Sequence, residues 1–242
     1  MWAVHQLYNT LVEIDSTMQT APSLAKHWTI SADNLTFTFY LRDDVFFADD
    51  NCFANGKGRK LTAHDVAYSF KRIVDKNTAS PGAWIFNNRV DSVHGFTALN
   101  DSVFQLKLIR PFQSILGILS MQYCSVVAKE AVEKYGNDFR RHPVGTGPFS
   151  FVAWEEGQAL ILKKNENYFE KDATGKRLHY LDGIKVSFYD SKAQAKSLFL
   201  CCVCAPEKSE EQPVDIFGIY CWSGIIKMYM NSIGISFHCN GE

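Results

Sequence analysis

The segment "HPVGTGPFSF", from His142 to Phe151, constrains the fold of this chain more than any other stretch. Two glycines flank a threonine, and a proline leads directly into alternating aromatic residues. Glycine adopts backbone angles that other residues avoid, whereas proline fixes φ and removes a hydrogen-bond donor. The segment matches neither a Gly-x-x-x-x-Gly-Lys phosphate loop nor a Gly-x-Gly-x-x-Gly motif. It therefore predicts a tight, closely packed turn that feeds a β-strand.

Length and composition indicate a protein with a packed core. The 242 residues suit one large or two small domains, and 46% of them are hydrophobic. The formal net charge of −1 offers no basic surface, so we expect no nucleic-acid partner. Met1 is followed by neither a basic start nor an apolar run, so we expect no recognisable signal peptide in this chain.

Alternating apolar residues predict several β-strands. In "DNLTFTFYLR", the residues Leu35, Phe37, Phe39 and Leu41 share one face, which is typical of a half-buried strand in a hairpin or meander. Similar patterns predict strands at 104–108, 149–154, 160–163 and 184–188.

Helical periodicity predicts the remaining elements. Apolar residues recur at helical spacing over 1–14, and 23–28 suggests a short helical turn. Thr62 and Asp65 form a potential capping box that opens a helix, and Phe70 lies on its apolar face. A further helix is expected from Lys129 to Tyr135, ended by a glycine. Because helices and strands alternate irregularly, we predict a mixed α/β or α+β fold.

The last part of the chain has a different character. Residues 201–242 hold five of the seven cysteines and show no clear period, so we expect 197–242 to be an aberrant cysteine-rich tail outside the fold. The spacing of its cysteines and histidine does not match the paired ligands of structural zinc sites, so no metal site is predicted. A metal-binding interaction module nevertheless remains the alternative function, with these potential ligands: Cys201, Cys202, Cys204, Cys221, His238 and Cys239.

No arrangement of residues in the sequence favours catalysis. There is no His-Glu-x-x-His zinc helix and no Gly-x-Ser-x-Gly nucleophile elbow. His64 precedes Asp65 in the first turn of a predicted helix, where an exposed position is expected. We therefore predict a protein that is not an enzyme and uses no cofactor. An enzyme would instead have to depend on His64, Asp65 or Asp43.

Several motifs, taken in order, resemble one family of proteins. They are "APSLAKHWTISADNLTFTFYLRDDVFFADD" at 21–50, "LTAHDVAYSFKRIVD" at 61–75, "IRPFQSIL", "EKYGNDFRRHPVGTGPFSFVAWEEG" at 133–157, "NENYFEK" and "LHYLDGIKV". This set resembles the extracytoplasmic solute-binding proteins of ABC transporters, in the oligopeptide/dipeptide/nickel-binding family, family 5. The resemblance covers about 190 residues and stops near Ala195.

The resemblance implies a fold and a domain organisation. The expected fold is periplasmic-binding-protein-like, type II, with an incomplete first lobe. Residues 1–12 and 144–196 would form part of ligand-binding lobe I, and 13–143 would form an inserted α+β subdomain. We expect an N-terminal fragment with an unrelated tail, truncated and unable to bind a ligand alone.

The resemblance also implies a function. Proteins of this family bind a peptide or small solute in the periplasm or cell envelope and deliver it to ABC permease and ATPase subunits. It carries over no ligand-contact residue, so the ligand-binding residues are left unknown. It does carry over structural motif residues, which are Gly145, Thr146, Gly147, Pro148, Phe149, Thr62, Asp65, Tyr68 and Phe70.

Overall fold

The computed structural model describes residues 2–91, 94–172, 174–178 and 180–188, together with the backbone of 217–219. Four α-helices lie within these ranges: α1 (Trp2–Leu7), α2 (Ala63–Val74), α3 (Ile115–Leu119) and α4 (Lys129–Tyr135). The ten strands described there are β1 (Val12–Ile14), β2 (Thr20–Pro22), β3 (Ala25–Ile30), β4 (Thr36–Leu41), β5 (Phe96–Asn100), β6 (Val103–Lys107), β7 (Phe149–Glu155), β8 (Ala159–Lys164), β9 (Gly183–Ser187) and β10 (Phe217–Ile219).

The first large sheet is an antiparallel meander in the order β3-β4-β6-β5. Phe39 of β4 pairs with Phe104 of β6, and both side chains are fully buried. The alternation predicted for β4 and β6 is thereby confirmed, because one face of each strand packs into the core. Helix α2 covers this face of the sheet through Val66 and Phe70, as its apolar spacing indicated.

The second large sheet has the order β10-β9-β8-β7. Strands β7, β8 and β9 are antiparallel neighbours, and β10 pairs in parallel with β9. The predicted strands at 149–154, 160–163 and 184–188 are therefore confirmed to within one or two residues. Apart from β10, the predicted cysteine-rich tail lies outside the described residues.

Two clusters of buried hydrophobic residues form separate cores. The larger core surrounds the aromatic side chains of the meander and α2. The smaller core lies against the second sheet and consists of Leu7, Tyr8, Phe149, Leu162, Ile184 and Val186. The chain passes from the smaller core to the larger one between Tyr8 and Leu11, and it returns between Val144 and Phe149. Tyr168 and Phe169 then pack in the larger core again.

Two helical predictions near the start of the chain are wrong. Helix α1 ends at Leu7, and Val12–Ile14 forms a strand paired with Thr20–Pro22. The expected helical turn at 23–28 is instead the beginning of β3, where Trp28 pairs with Phe39. Cross-strand pairing decides the conformation of these short segments, because their local helical spacing extends over too few residues to specify a helix.

The predicted boundaries of the other helices are confirmed. A capping box joins Thr62 and Asp65 at the start of α2. Helix α4 ends at Tyr135, and Gly136 follows with a φ of +48°, a conformation that suits glycine. No helix in the described ranges has the length and apolar character that spanning a lipid bilayer requires.

Candidate ligand-binding cleft

The segment Gly145–Phe149 packs directly against the end of helix α1. A Cβ atom placed on Gly145 would lie 2.0 Å from the carbonyl oxygen of Leu7, and one on Gly147 would lie 2.5 Å from the carbonyl carbon of the same residue. Neither glycine is among the described residues with a positive φ. These glycines are therefore required by close backbone approach, not by the unusual backbone angles that the sequence suggested.

Backbone hydrogen bonds fix the segment in this position. The N–H of Gly147 donates to the carbonyl of Leu7 at 3.0 Å, and the N–H of Ala48 donates to the carbonyl of Gly145 at 2.8 Å. The side-chain amide of Asn165 donates to the carbonyl of Gly147 at 2.8 Å. The segment thus connects three parts of the chain that are distant in sequence.

A chain of buried polar side chains begins at Thr146. Its hydroxyl donates to the amide oxygen of Asn9 at 3.0 Å, and the amide N–H of Asn9 donates to the hydroxyl of Tyr168 at 3.3 Å. Tyr168 in turn forms a hydrogen bond with the carboxylate of Glu170. Because each side chain forms a hydrogen bond with the next, these hydrogen bonds fix the relative positions of the four side chains.

Three of these side chains, those of Asn9, Tyr168 and Glu170, border a cleft of about 380 Å³. The cleft lies between the chain segment after α1, the beginning of β7 and the segment after β8. Its lining is mainly polar and includes Asn9, Glu13, Ser23, Pro148, Tyr168 and Glu170. A cleft with several converging polar groups has the character of a small-solute site.

Two carboxylic acids give the cleft its electrostatic character. The residues around Glu13 partly exclude water from its carboxyl group, and the nearby charge of Glu170 adds to this effect. Together they raise the pKa of Glu13 from 4.5 to about 7, although much of its side chain is exposed. Burial also raises the pKa of the half-buried Glu170, opposed by the hydrogen bond from Tyr168 and by the charge of Arg42. Burial likewise raises the pKa of Tyr168, so its hydroxyl keeps its proton at neutral pH.

The raised pKa of Glu13 leads to a testable pH dependence. Relative to a Glu13→Gln variant, we expect the unfolding free energy of the wild type to fall as pH rises. The folded chain holds the Glu13 proton more tightly than the unfolded chain does, so this contribution is complete below pH 4.5 and is lost as pH rises through about 7. Urea unfolding of both proteins at about pH 4 and about pH 8 measures the difference.

The control for this experiment is Glu155→Gln, which makes the same chemical change at an exposed position of β7. An identical pH dependence in the two variants would contradict the role assigned to Glu13.

A second group of predicted motif residues surrounds the start of α2, away from the cleft. The N–H of Thr62 donates to a carboxylate oxygen of Asp65 at 2.9 Å. Arg59 donates to both oxygens of Asp65, at 2.8 and 2.6 Å, and to both oxygens of Glu130, at 2.6 and 2.8 Å. Tyr68 is half-buried, whereas Phe70 packs fully buried against Phe86, Phe96 and Phe104. This group stabilises the larger core.

A smaller cavity, of about 200 Å³, lies between α2 and the segments that follow α3. Its polar lining includes Ser69, Arg72, Thr78 and Ser125. Tyr8 borders both this cavity and the cleft.

The structure separates the predicted motif residues into these two groups. Of the nine, only Pro148 lines the cleft, and Thr146 reaches it through Asn9. Sequence reasoning did not identify Asn9, Glu13, Ser23 or Glu170. Two family-like motifs contained some of these residues, since Ser23 lies in the motif at 21–50 and "NENYFEK" contains Tyr168 and Glu170. Neither motif reveals the partners of these side chains.

The alternatives that depend on metal or catalytic residues gain no support from the described residues. His64 is exposed and lies 3.5 Å from Asp101, outside both cavities. Within the described ranges, no group of three or more His, Cys, Asp or Glu side chains could hold a metal ion. The potential zinc ligands of the tail lie outside those ranges.

Comparison with known proteins identifies the fold. The periplasmic binding protein DppA from Helicobacter pylori, solved in complex with the peptide STSA, superposes with a TM-score of 0.68 and 30% sequence identity. The superposition covers 82% of this chain and 40% of that one. The class of protein is therefore the type II periplasmic binding proteins, and this chain contains part of their mixed α/β fold.

Sequence comparison leads to the same class and specifies the family. The model of the bacterial extracellular solute-binding proteins, family 5 (middle), matches residues 19–200. The peptide transport periplasmic protein SapA of Salmonella typhimurium is 30% identical over 177 residues, which are 68% of this chain and 32% of that protein. The dipeptide-binding protein of Escherichia coli (strain K12) is 31% identical over 178 residues, 67% of this chain and 32% of that protein.

The chain belongs to the bacterial extracellular solute-binding proteins of family 5. It spans about a third of the length of the curated relatives that it matches.

Proposed function

We propose that this chain forms part of the substrate-binding component of an ABC importer that takes up peptides or related small solutes. The observation that carries the proposal is the polar cleft beside the Gly-Thr-Gly-Pro-Phe segment, in a chain of this family. The relatives compared above include a peptide transport protein, a dipeptide-binding protein and a structure in complex with a peptide.

The domain organisation proposed for this function has three parts. Residues 1–12 and 144–196 belong to ligand-binding lobe I, and 13–143 form the inserted subdomain. Residues 197–242 form the cysteine-rich tail, in which the described strand β10 pairs with β9. The two cores support the first two parts, because the chain passes from one core to the other close to both proposed boundaries. Tyr168 and Phe169 are the part of the proposed lobe I after the second boundary that packs in the larger core. The Gly145–Phe149 segment is then the point at which the chain re-enters the sheet of lobe I.

The same proposal specifies location and partners. The protein acts in the periplasm or cell envelope, delivers its solute to permease and ATPase subunits, and catalyses no reaction. The names of the curated relatives support this, since one is a peptide transport periplasmic protein and another is a dipeptide-binding protein. Hinge closure of two lobes around a solute is the usual mechanism of such proteins.

A titration with the peptide Ser-Thr-Ser-Ala tests the proposal. With a ¹⁵N-labelled chain, we expect saturable shifts of the backbone signals of Tyr8, Asn9 and Thr10, which border the cleft. This expectation replaces the one drawn from the sequence, that the chain cannot bind a ligand alone. Signals of Thr38 and Gln105, on the distant meander, should remain unchanged. Absence of any cleft response at millimolar peptide would contradict the assignment of this cleft to solute binding.

A further inference from the structure

Asn55 and Gly56 form the centre of a tight turn in the loop between residues 46 and 60. Both residues have positive φ angles, of 57° and 69°, and the N–H of Lys57 donates to the carbonyl of Ala54 at 3.4 Å. These angles suit a type I′ turn, for which Asn-Gly is a preferred sequence. Asn55 is exposed, and its side chain forms no hydrogen bond within the described part of the chain.

An asparagine that precedes glycine is prone to a reaction with its own backbone, and asparagine is among the thermolabile residues. The backbone nitrogen of Gly56 attacks the side-chain carbonyl carbon of Asn55. The side-chain nitrogen leaves as ammonia and carries away the proton of the attacking nitrogen, so that a cyclic imide forms. Water then opens the ring at either carbonyl carbon and gives aspartate or isoaspartate, in which the main chain runs through the side chain. Water is the only co-reactant.

The surroundings of the turn favour this reaction. Glycine places no side chain beside the attacking nitrogen, and a Cβ atom on Gly56 would meet only the side-chain oxygen of Asn51, at 3.8 Å. The N–H of Gly56 donates to the carbonyl of Phe53 at 3.1 Å, so the turn has to open locally before the attack. Because the turn at 54–56 buries none of its residues, this opening requires little free energy.

The other asparagines of the described ranges lack this combination, since glycine follows none of them. Asn34 is the nearest match, because it is exposed and has a φ of 55°, but Leu35 follows it. Asn9 and Asn165 are buried, and both are held by hydrogen bonds.

The segment that follows the turn is packed without free space. A Cβ atom on Gly58 would lie 1.8 Å from the carbonyl oxygen of Phe47. The N–H of Gly58 donates to one oxygen of Asp49 at 2.9 Å, and the ammonium group of Lys57 contacts the other oxygen at 2.7 Å. Isoaspartate at position 55 lengthens the main chain by one carbon and adds a negative charge, and this segment has no room to shift in response.

We propose that Asn55-Gly56 is a site of spontaneous covalent modification, at which Asn55 converts to isoaspartate and aspartate in the folded chain. We further infer that isoaspartate weakens the hydrogen bond from Gly58 to Asp49, because the added main-chain carbon displaces the segment after the turn. This inference does not rest on the proposed function.

Ageing of the folded, full-length chain in a mildly alkaline buffer tests the modification. Tryptic digestion and mass spectrometry measure the conversion of each asparagine, and methylation by an isoaspartyl methyltransferase identifies the isoaspartate product. We expect conversion at Asn55 to be at least about tenfold faster than at Asn34, because glycine leaves the attacking nitrogen unobstructed. Equal rates at these two positions would overturn the proposal.

Two controls separate the turn from the dipeptide sequence. Asn55→Gly keeps a residue that suits the backbone angles of the turn, and it should abolish methylation of the peptide that contains position 55. Ageing in concentrated urea gives the rate for the unfolded chain, which the folded chain should approach within about tenfold. If isoaspartate forms at Asn55 only in urea, the folded turn protects this asparagine and the proposal is wrong.

Asn55→Asp separates the effect of the new charge from that of the longer main chain. This variant has the carboxylate but a normal backbone, so the N–H of Gly58 should exchange with solvent as it does in the wild type. In the purified isoaspartate form, the same N–H should exchange at least about tenfold faster, because its hydrogen bond to Asp49 is weakened. Equal exchange in the two proteins would overturn the inferred effect on Gly58.

Discussion

Replacing Gly147 by alanine should destabilise the folded chain by about 3 kcal/mol or more. The added Cβ atom would lie 2.5 Å from the carbonyl carbon of Leu7 and 2.6 Å from the carbonyl oxygen of Gln6. Both of these are backbone atoms, so no side-chain rotation can relieve the overlap. The strand β7 and helix α1 would have to separate, which would break the hydrogen bond from Gly147 to Leu7. Urea unfolding, followed by far-ultraviolet circular dichroism, measures the loss.

Gly117→Ala provides a matched control for this prediction. Gly117 lies within α3, and a Cβ atom there would meet nothing within 4 Å. Because alanine favours the helix over glycine, we expect this variant to gain about 0.5 kcal/mol. If Gly147→Ala were as stable as Gly117→Ala, the close approach of the two backbone segments would not be a requirement of the fold.

Replacing Asp65 by asparagine should destabilise the chain by about 3 kcal/mol. Only 4% of the Asp65 side chain is exposed, and it accepts hydrogen bonds from Arg59 and from the N-terminus of α2. The neutral amide of asparagine leaves part of the Arg59 guanidinium charge uncompensated beside Glu130. It also places an N–H group where the donors of Arg59 and Thr62 require an acceptor. The same charge pair holds Arg59 over the rings of Phe47 and Phe53, at 5.3 and 5.9 Å from their centroids.

Asp138→Asn makes the same chemical change at an exposed position and should alter stability by less than about 0.5 kcal/mol. Thermal unfolding of both variants distinguishes a specific network from a general effect of charge. A small effect of Asp65→Asn would mean that the ion pair with Glu130 alone is sufficient to hold Arg59.

These two predictions concern different parts of the molecule. Gly147 belongs to the segment beside the cleft, whereas Asp65 supports the larger core near α2. Loss of the Asp65 network should therefore reduce stability without changing solute binding in the cleft. Loss of the contact between Gly147 and Leu7 should affect both stability and the cleft, because Thr146 precedes Gly147 and is hydrogen-bonded to Asn9 in the cleft wall.

Local patterns were sufficient to predict most of the regular structure. The alternation of Phe37, Phe39 and Leu41 identified β4, and the apolar spacing after Thr62 identified α2. In both elements, the residues that pack into the core recur at the period of the element itself. The order of motifs along the chain was likewise sufficient to identify the family.

The tertiary structure alone decided the conformation of the first 30 residues. Leu7 and Leu11 are both buried, but they belong to different cores, and the helix ends between them. Pairing with a distant strand overrides a short helical spacing because each hydrogen-bonded neighbour adds packing that an isolated turn lacks.

The cleft also depends on contacts that no local pattern contains. The amide of Asn9 meets Tyr168 across a sequence separation of 159 residues, and Thr146 meets Asn9 across 137. The composition of "GTGPF" identified a closely packed segment, yet only the approach of Leu7 explains why glycine is needed there. A residue's type and spacing determine the element that it forms, whereas the groups that face it from other elements determine the chemistry of a site.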